Sequence, residues 1–348
     1  MITNKQLYRF KMELDTIVEA YKAEPVEGKK YDWKEYERQW SNRLRGALKE
    51  IGGVITEADG SIKIRPSPFG RPQNLDSRKK ALLLLIKDLS QFSNRKMANL
   101  LPLFSYLAEV HTSYKTVERT YSDPLVRMVL HNMFVILVKR KGIRTADITG
   151  DGTGYSLTIT RHYRSVREKE GEKVKSNEEQ SSPDTGTQSE EKKRKRFAYA
   201  FAIMDLGTWM YVGYGFSMRS EKDAFDKAAE MMRKCDVIPQ SARLDQYYGS
   251  QFVTKLFEKE TTIFVIPKDG ITIRGPPEWK DITRTLMTDP IAFLKEYYRR
   301  ENSESGFAAD KKFDGWKVSQ KLDERIGTAV MCKGVWHDLL WLTGKDNP

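Results

Sequence analysis

Cysteine and histidine are scarce: 348 residues include 2 Cys and 4 His. Cys235 and Cys332 stand in unrelated contexts with no CxxC pair, so neither a disulfide framework nor a cysteine zinc site is expected. His162 and His337 are too scattered to suggest a metal site either. Long apolar runs are also missing. The longest, Ala81 to Ile86 and Phe134 to Val138, fall well short of the roughly 18–20 residues that cross a bilayer. The start, MITNKQLYRFKMELD, shows no basic region followed by an apolar core and a small-residue cleavage site. The expectation is a soluble, cytoplasmic protein.

With 39% hydrophobic residues, the chain has enough apolar content for real cores, and at roughly 100–200 residues per domain its length suggests two or three domains. Lys and Arg number 60 against 48 Asp and Glu, a formal charge of +12, with 11% aromatics. That balance suits a polyanionic partner, because Lys and Arg gain affinity by releasing counterions condensed on phosphates. Nucleic acid is the leading class. The excess does not come from the most conspicuous segment. Between Arg167 and Arg196 the chain reads REKEGEKVKSNEEQSSPDTGTQSEEKKRKR, nine basic against eight acidic residues, or 9 − 8 = +1. Val174 is its only aliphatic residue, so it buries too little to offset ordering entropy and is predicted to be a disordered loop. Its KKRKR run reads as a solvated tether or a phosphate-contacting arm.

The flanks of this loop look like strands that belong together: Tyr155 to Tyr163 before it, Phe197 to Met204 and Trp209 to Gly215 after it, all alternating and rich in Tyr, Thr, Ile or Phe. The loop is therefore an insertion within a domain. Downstream, Ser220 caps a helical run in which Phe225, Ala228, Ala229 and Met232 recur at helical spacing. A short strand, Ala242 to Asp245, follows. Then come a helix near Gly249 to Glu258, a strand from Thr261, a Gly/Pro-rich loop GITIRGPPEW, and a long helical stretch from about Asp289. Three antiparallel strands followed by α/β alternation is the element order of an RNase H-like sheet, although several α/β folds share it.

The N-terminal portion reads mostly helical. Leu7 to Tyr21 and Trp33 to Ile51 are periodic, and Ile51 to Arg65 resembles a small hairpin turning at Asp59-Gly60. Four helical segments are predicted between Ser77 and Arg140, opened by Ser77, Ser93, Thr112 or Ser113, and Asp123 with Pro124. The third, TSYKTVERTY, is short and basic. Ser113, Tyr114, Lys115 and Arg119 on its exposed side are the residue types with which a helix-turn-helix recognition helix reaches base edges and phosphates.

Chemistry is concentrated around DPIAFLKEYYRRENSESGFAADKKFDGW. Tyr297, Arg300, Glu304 and Lys311 are spaced 3, 4 and 7 apart, which on a helix puts them within roughly 60° of one another. By itself this is an ordinary polar stripe with one i,i+4 ion pair, worth about 0.2–0.5 kcal/mol. The spacing Y-x2-R-x3-E-x6-K, however, resembles that around the third acidic residue of the DDE transposases of bacterial and archaeal insertion sequences. Asp151 in ITGDGTGYSLTI resembles that family's first acidic residue, in a DGTG turn of an early strand. Asp245, closing ARLDQYYGS, resembles the second. The resemblance covers about Asp147 to Leu342.

It implies an α/β RNase H-like catalytic domain over residues 143–348 with the insertion at 167–196. A mostly helical DNA-binding region at 76–142 and an N-terminal helical region at 1–75 would precede it. It also implies Mg²⁺-dependent cleavage at mobile-element ends and 3′-OH strand transfer into target DNA. Two Mg²⁺ ions, with Mn²⁺ as a substitute, would be held by Asp151, Asp245 and Glu304, Asp151 bridging both; hard carboxylate oxygens suit them. Tyr297, Arg300 and Lys311 would hold the scissile strand, and the glycines Gly150, Gly152 and Gly154 would let backbone and DNA approach closely. The implied partners are double-stranded DNA, at terminal inverted repeats and target, and a second copy in a synaptic homodimer on the nucleoid.

Alternatives remain open at this level. Asp147 can replace Asp151 if the strand register shifts, and Glu296 and Glu301 are nearby acids outside the Tyr/Arg/Lys frame. Ser303, Ser305 and Gly306 are weak helix formers that would bend the helix near Glu304. Asp205 and Asp223 read as turn and helix residues, with a minor supporting role open to Asp223. Trp316, Trp336 and Trp341 read as packing residues, whereas Trp279 in the Gly/Pro loop is placed to stack on an unpaired base. Lys268 and Arg274 flank that loop and read as DNA-backbone contacts or solvated surface. The rival functions are an RNase H-like nuclease without strand transfer and a non-catalytic, transposase-derived DNA-binding protein.

Overall fold

The computed structural model describes residues 3–23, 32–63, 75–104, 107, 110–157, 197–315 and 317–343. Loop 167–196, the part of the expected strand beyond Leu157, His162, Arg65 and Trp316 lie outside these residues. Before the sheet come α1 (Asn4–Ala23), α2 (Trp33–Gly60), α3 (Ser77–Ser90), α4 (Asn94–Leu100), α5 (Tyr114–Thr120) and α6 (Pro124–Lys141). Short polar side chains start them as their positions predict: Ser93, Ser113 and Asp123 accept backbone N–H groups of α4, α5 and α6. For α3 the cap is Asp76, one residue ahead of the expected Ser77.

The hairpin expected over Ile51–Arg65 does not form. Helix α2 occupies its residues up to Gly60, because Ile51, Val54, Ile55 and Ala58 recur at helical spacing and are all buried on the face that packs against α6. Asp59-Gly60 ends the helix, with the Ser61 N–H donating to the Glu57 carbonyl at 3.0 Å.

Strands β1 (Thr145–Leu157), β2 (Phe197–Asp205), β3 (Tyr211–Ser217), β4 (Ile238–Leu244) and β5 (Thr262–Phe264) lie in the order β3-β2-β1-β4-β5, and β6 (Lys317–Val318) pairs with the end of β1. β2 is antiparallel to both of its neighbours, β1 and β3, whereas β4 runs parallel to β1 and β5 parallel to β4. The crossover from β3 to β4 is α7 (Glu221–Lys234), capped by Ser220 as predicted. The DGTG segment is not a turn: β1 continues through Asp151 to Gly154, paired throughout with β2.

Alternation along β3 separates the two layers. A Cβ on Gly213 or Gly215 would strike the α7 backbone, whereas Tyr214 and Phe216 point the other way, onto Gly334 and Gly327 of α11 (Asp323–Leu342). α11 is buried nearly all round. It packs on α2, α3 and α6, with the Trp336 indole donating to the Leu85 carbonyl at 2.9 Å. Trp341 stacks on Trp209 at 5.3 Å. Trp336 and Trp341 are thus packing residues, as expected, and the N-terminal helices share one apolar core with the sheet.

Three further expectations need correction. The helix near Gly249–Glu258 is a pair of 3₁₀ turns, Gln246–Tyr248 and Gln251–Lys255, interrupted by Gly249 and Ser250, both poor helix formers. The long helix from Asp289 is split into α9 (Pro290–Tyr298) and α10 (Glu301–Asp314), breaking at Arg299–Arg300 and not near Ser303. Trp279 is fully buried in α8 (Pro277–Thr288), its indole donating to the Thr272 carbonyl at 3.0 Å, so it offers no face to a base.

Candidate active site

Strand register builds the site. β1 and β4 are parallel and pair up to Gly150 and Leu244, so the next residues, Asp151 and Asp245, stand side by side where β4 ends. Neighbouring strands lie about 4.8 Å apart. Thr149, Asp151, Thr153 and Tyr155 share one face of β1 by the two-residue period, and α10 crosses that face.

The start of α10 is tied to β1: the Thr149 hydroxyl donates to the Arg300 carbonyl at 3.3 Å, and Ser303, buried beside it, donates to the same oxygen at 2.7 Å. The Arg300 guanidinium therefore projects between the carboxylates, 3.1 Å from Glu304 Oε1 and 3.8 Å from Asp245 Oδ1. Its Nε is buried with no hydrogen-bond partner among the described residues. Tyr297 lies beneath, its ring centre 5.4 Å from the guanidinium. Burial pushes the Tyr297 phenol up to about 12 against the pull of Arg300. At the far end of α10, Lys311 Nζ donates to Thr153 Oγ1 at 2.5 Å. Burial lowers the Lys311 pKa, with Asp151 opposing. The Y-x2-R-x3-E-x6-K residues thus converge across a broken helix.

Asp151 is the electrostatic centre. Burial raises its carboxyl to about 6, although the Gly152 N–H donates to Oδ1 at 2.8 Å and Arg300 helps to hold the charge; Glu304 and Glu221 push the other way. Glu221, in the first turn of α7, is a fourth carboxylate that sequence reasoning passed over in favour of Asp223. Asp223 is an ordinary helix residue, ion-paired with Lys227 at 2.9 Å. The Glu221 pKa is raised by burial, eased by a hydrogen bond from Tyr248 and pushed further by Asp245. The available signal was its place directly after the Ser220 cap. Of the three glycines around Asp151, Gly150 and Gly152 make room for protein, whereas a Cβ on Gly154 would meet only an ordinary contact with Phe197 at 3.5 Å. A Cβ on Gly152 would lie 2.3 Å from the Glu221 carboxyl carbon, and one on Gly150 2.8 Å from the Phe201 ring, so protein and not DNA fills both positions.

The other acids have separate partners. Asp147 accepts from Ser241 at 2.5 Å, in a buried network with Arg243 that ends on Glu296. Asp205 closes a turn by accepting from the Thr208 N–H and hydroxyl, each at 2.8 Å. Glu301 is exposed beside the site. His337 is buried against Asp310, with 2.8 Å between Nδ1 and Oδ1. Lys268 places its ammonium 4.3 Å over the Tyr247 ring, and Arg274 is exposed. Ser113, Tyr114, Lys115 and Arg119 are all exposed, but residues 101–113 separate α4 from α5, far more than the 3–4-residue turn of a helix-turn-helix.

Helix α1 adds an unforeseen wall. Asn4 accepts from the Ile273 N–H at 3.0 Å, Lys11 donates to the Lys268 carbonyl, and Tyr21 stacks on Tyr298 at 5.4 Å. A cavity of about 250 Å³ remains between α1 and the site, lined by Lys11, Lys22, Asp245, Tyr297 and Arg300 among others.

The donors are all hard oxygens, the ligand type that Mg²⁺ and similar divalent cations take. Among the described residues no three acids or histidines converge closely enough to hold a metal unaided. Arg300 stands between Asp245 and Glu304 instead.

No protein-family model matches the chain. A protein described as a probable transposase for insertion sequence element ISA1214, from Archaeoglobus fulgidus, is 38% identical over 338 residues, covering 97% of this chain and 96% of the relative.

Proposed function

The chain belongs to the insertion-sequence transposases, and from that premise we propose that it is a DDE enzyme with an RNase H-like catalytic region. In this reading it cleaves DNA at mobile-element ends and joins the freed 3′-OH to target DNA. The observation that carries it is the register of β1 and β4, which sets Asp151 beside Asp245 while Arg300 joins Glu304 to the pair. The strand order, with three antiparallel strands followed by two parallel ones, supports the fold assignment.

Asp151, Asp245 and Glu304 would hold two Mg²⁺ ions, or Mn²⁺, which when bound supply a more basic water and a stabilised 3′ leaving oxygen. Arg300 turns its guanidinium from the two carboxylates to a phosphate oxygen, with the buried, unpartnered Nε as an additional donor. Tyr297 stays protonated at neutral pH and can donate its hydroxyl proton to the same strand. Lys311, close to Asp151, places a point charge at the other side of the scissile phosphate.

Element ends would be read as duplex by the exposed Ser113, Tyr114, Lys115 and Arg119, with Lys268 and Arg274 on the backbone, and two copies of the chain would bring two ends together. The test is Mg²⁺-dependent nicking of a duplex carrying the element's end. Asp151→Ala and Glu304→Ala are expected to abolish nicking while the variants remain folded; full activity in either would sink the assignment. Nicking without joined products would indicate a nuclease. Duplex binding without nicking would indicate a DNA-binding derivative.

A further inference from the structure

The segment that follows Asp245 displays aromatic rings to solvent. Tyr247 and Phe252, on the two 3₁₀ turns, are 55% and 63% exposed, whereas Tyr248 between them turns inward and is buried. Each exposed ring carries a lysine: Lys268 Nζ lies 4.3 Å from the Tyr247 ring centre and Lys255 Nζ 5.4 Å from that of Phe252. The first pair is held from below. The Lys268 N–H donates to the Gly249 carbonyl at 2.8 Å, and the Lys268 carbonyl accepts from Lys11 of α1, so the loop carrying Lys268 is fastened to the turn carrying Tyr247. Tyr248 packs edge-on against Tyr247, with ring centres 5.3 Å apart. An open depression of about 350 Å³, lined by Asp245, Gln246, Tyr247, Lys268 and Asp269, connects this pair to the second aspartate of the site.

Solvent-exposed rings give a core nothing, and duplex DNA hides its base faces. A ring beside an ammonium is instead the pairing used for unpaired nucleotides, the base on the ring and the phosphate on the cation. We infer that Tyr247 with Lys268, followed by Phe252 with Lys255, forms a stacking platform for unpaired DNA nucleotides adjoining the strand held at Asp245. The inference rests on the proposed DNA-processing role of that site. It concerns the path of the strand and not the chemistry.

The experiment is equilibrium binding of the full chain, in EDTA, to a fluorescein-labelled mixed-sequence DNA single strand and to the same sequence as a blunt duplex. Tyr247→Ala and Phe252→Ala are each expected to weaken single-strand binding by about 5- to 150-fold, the range measured for loss of one stacking aromatic, with duplex binding and thermal unfolding unchanged. Tyr247→Trp should retain affinity and quench a 2-aminopurine base in the strand, whereas Tyr247→Leu, which keeps apolar area but has no π face, should do neither. Unchanged single-strand affinity in the alanine variants overturns the inference, as does Tyr247→Leu matching the wild type. If the alanine variants change the oligomeric state and not the single-strand affinity, the surface is a contact between copies and the inference is wrong. Because binding is read without metal, an inactive enzyme would sink the transposase mechanism but leave this result standing.

Discussion

Removing either partner of the Arg243–Glu296 pair should have very different consequences. Arg243 lies two residues before Asp245 on β4 and is 2% exposed, whereas the Glu296 side chain is 38% exposed. The arginine Nε donates to the Glu296 carbonyl at 2.9 Å, Nη1 to Ser241 at 2.7 Å, and Nη2 to the Glu296 carboxylate. Burial lowers the Arg243 pKa and Glu296 opposes the shift, but an arginine stays charged in any protein. Glu296→Ala therefore leaves a buried cation with only Asp147, reached through Ser241, as countercharge. Breaking a buried pair this way costs about 3–5 kcal/mol, and the two surviving hydrogen bonds place this case near about 3. Arg243→Met fills a similar volume and leaves Glu296 to water and to Arg299, 3.0 Å away, so about 1–2 kcal/mol is expected. In the Arg243→Met background, Glu296→Ala should cost almost nothing. Urea unfolding followed by tryptophan fluorescence, at constant slope, measures all four proteins. If Arg243→Met costs as much as Glu296→Ala, or if the two costs add, burial is not the source of the asymmetry and the reasoning fails.

Other consequences concern packing and pH. Gly215→Ala would bring a Cβ to 2.0 Å from the Ala224 carbonyl oxygen, backbone that cannot yield, so a loss of about 3 kcal/mol is expected. Gly52→Ala in α2, where nothing lies within 4 Å, should stabilise by roughly 0.5–1 kcal/mol; urea midpoints moving the same way in both variants would contradict this. Burial alone would discharge His337, but Asp310, Asp338 and the Trp209 carbonyl outweigh it and raise its pKa. A raised folded-state value means its contribution is complete below the unfolded pKa of about 6.5 and is lost as pH rises through the folded value. The stability difference between wild type and His337→Gln should therefore shrink from pH 6 upward, and a difference that grows would contradict the ion pair.

The parts of this protein legible in one dimension are those set by local chemistry. Ser93, Ser113, Asp123 and Ser220 begin helices because a short polar side chain satisfies backbone N–H groups only a few residues away. The Tyr/Arg/Glu/Lys spacing and the two candidate aspartates were equally visible, as residue types at fixed separations. The errors arose where local signals conflict. The stretch Ile51–Gly60 has β-branched residues and ends in Asp-Gly, but packing on α6 made it helix. Trp279 stands in a Gly/Pro-rich stretch yet is drawn into the core.

Tertiary structure alone decided which acids meet. Asp147 and Asp151 are four residues apart on one strand, and only pairing with β4 makes Asp151 the neighbour of Asp245 while Asp147 falls to Ser241. Glu221 and helix α1 reach the site from distant sequence positions, so no spacing rule could announce them. Strand register and helix docking are sums of many weak, non-local contacts, whereas a cap or a motif is a strong interaction within a few residues. That difference in range explains why the residue types could be read from the chain but their assembly into one site could not.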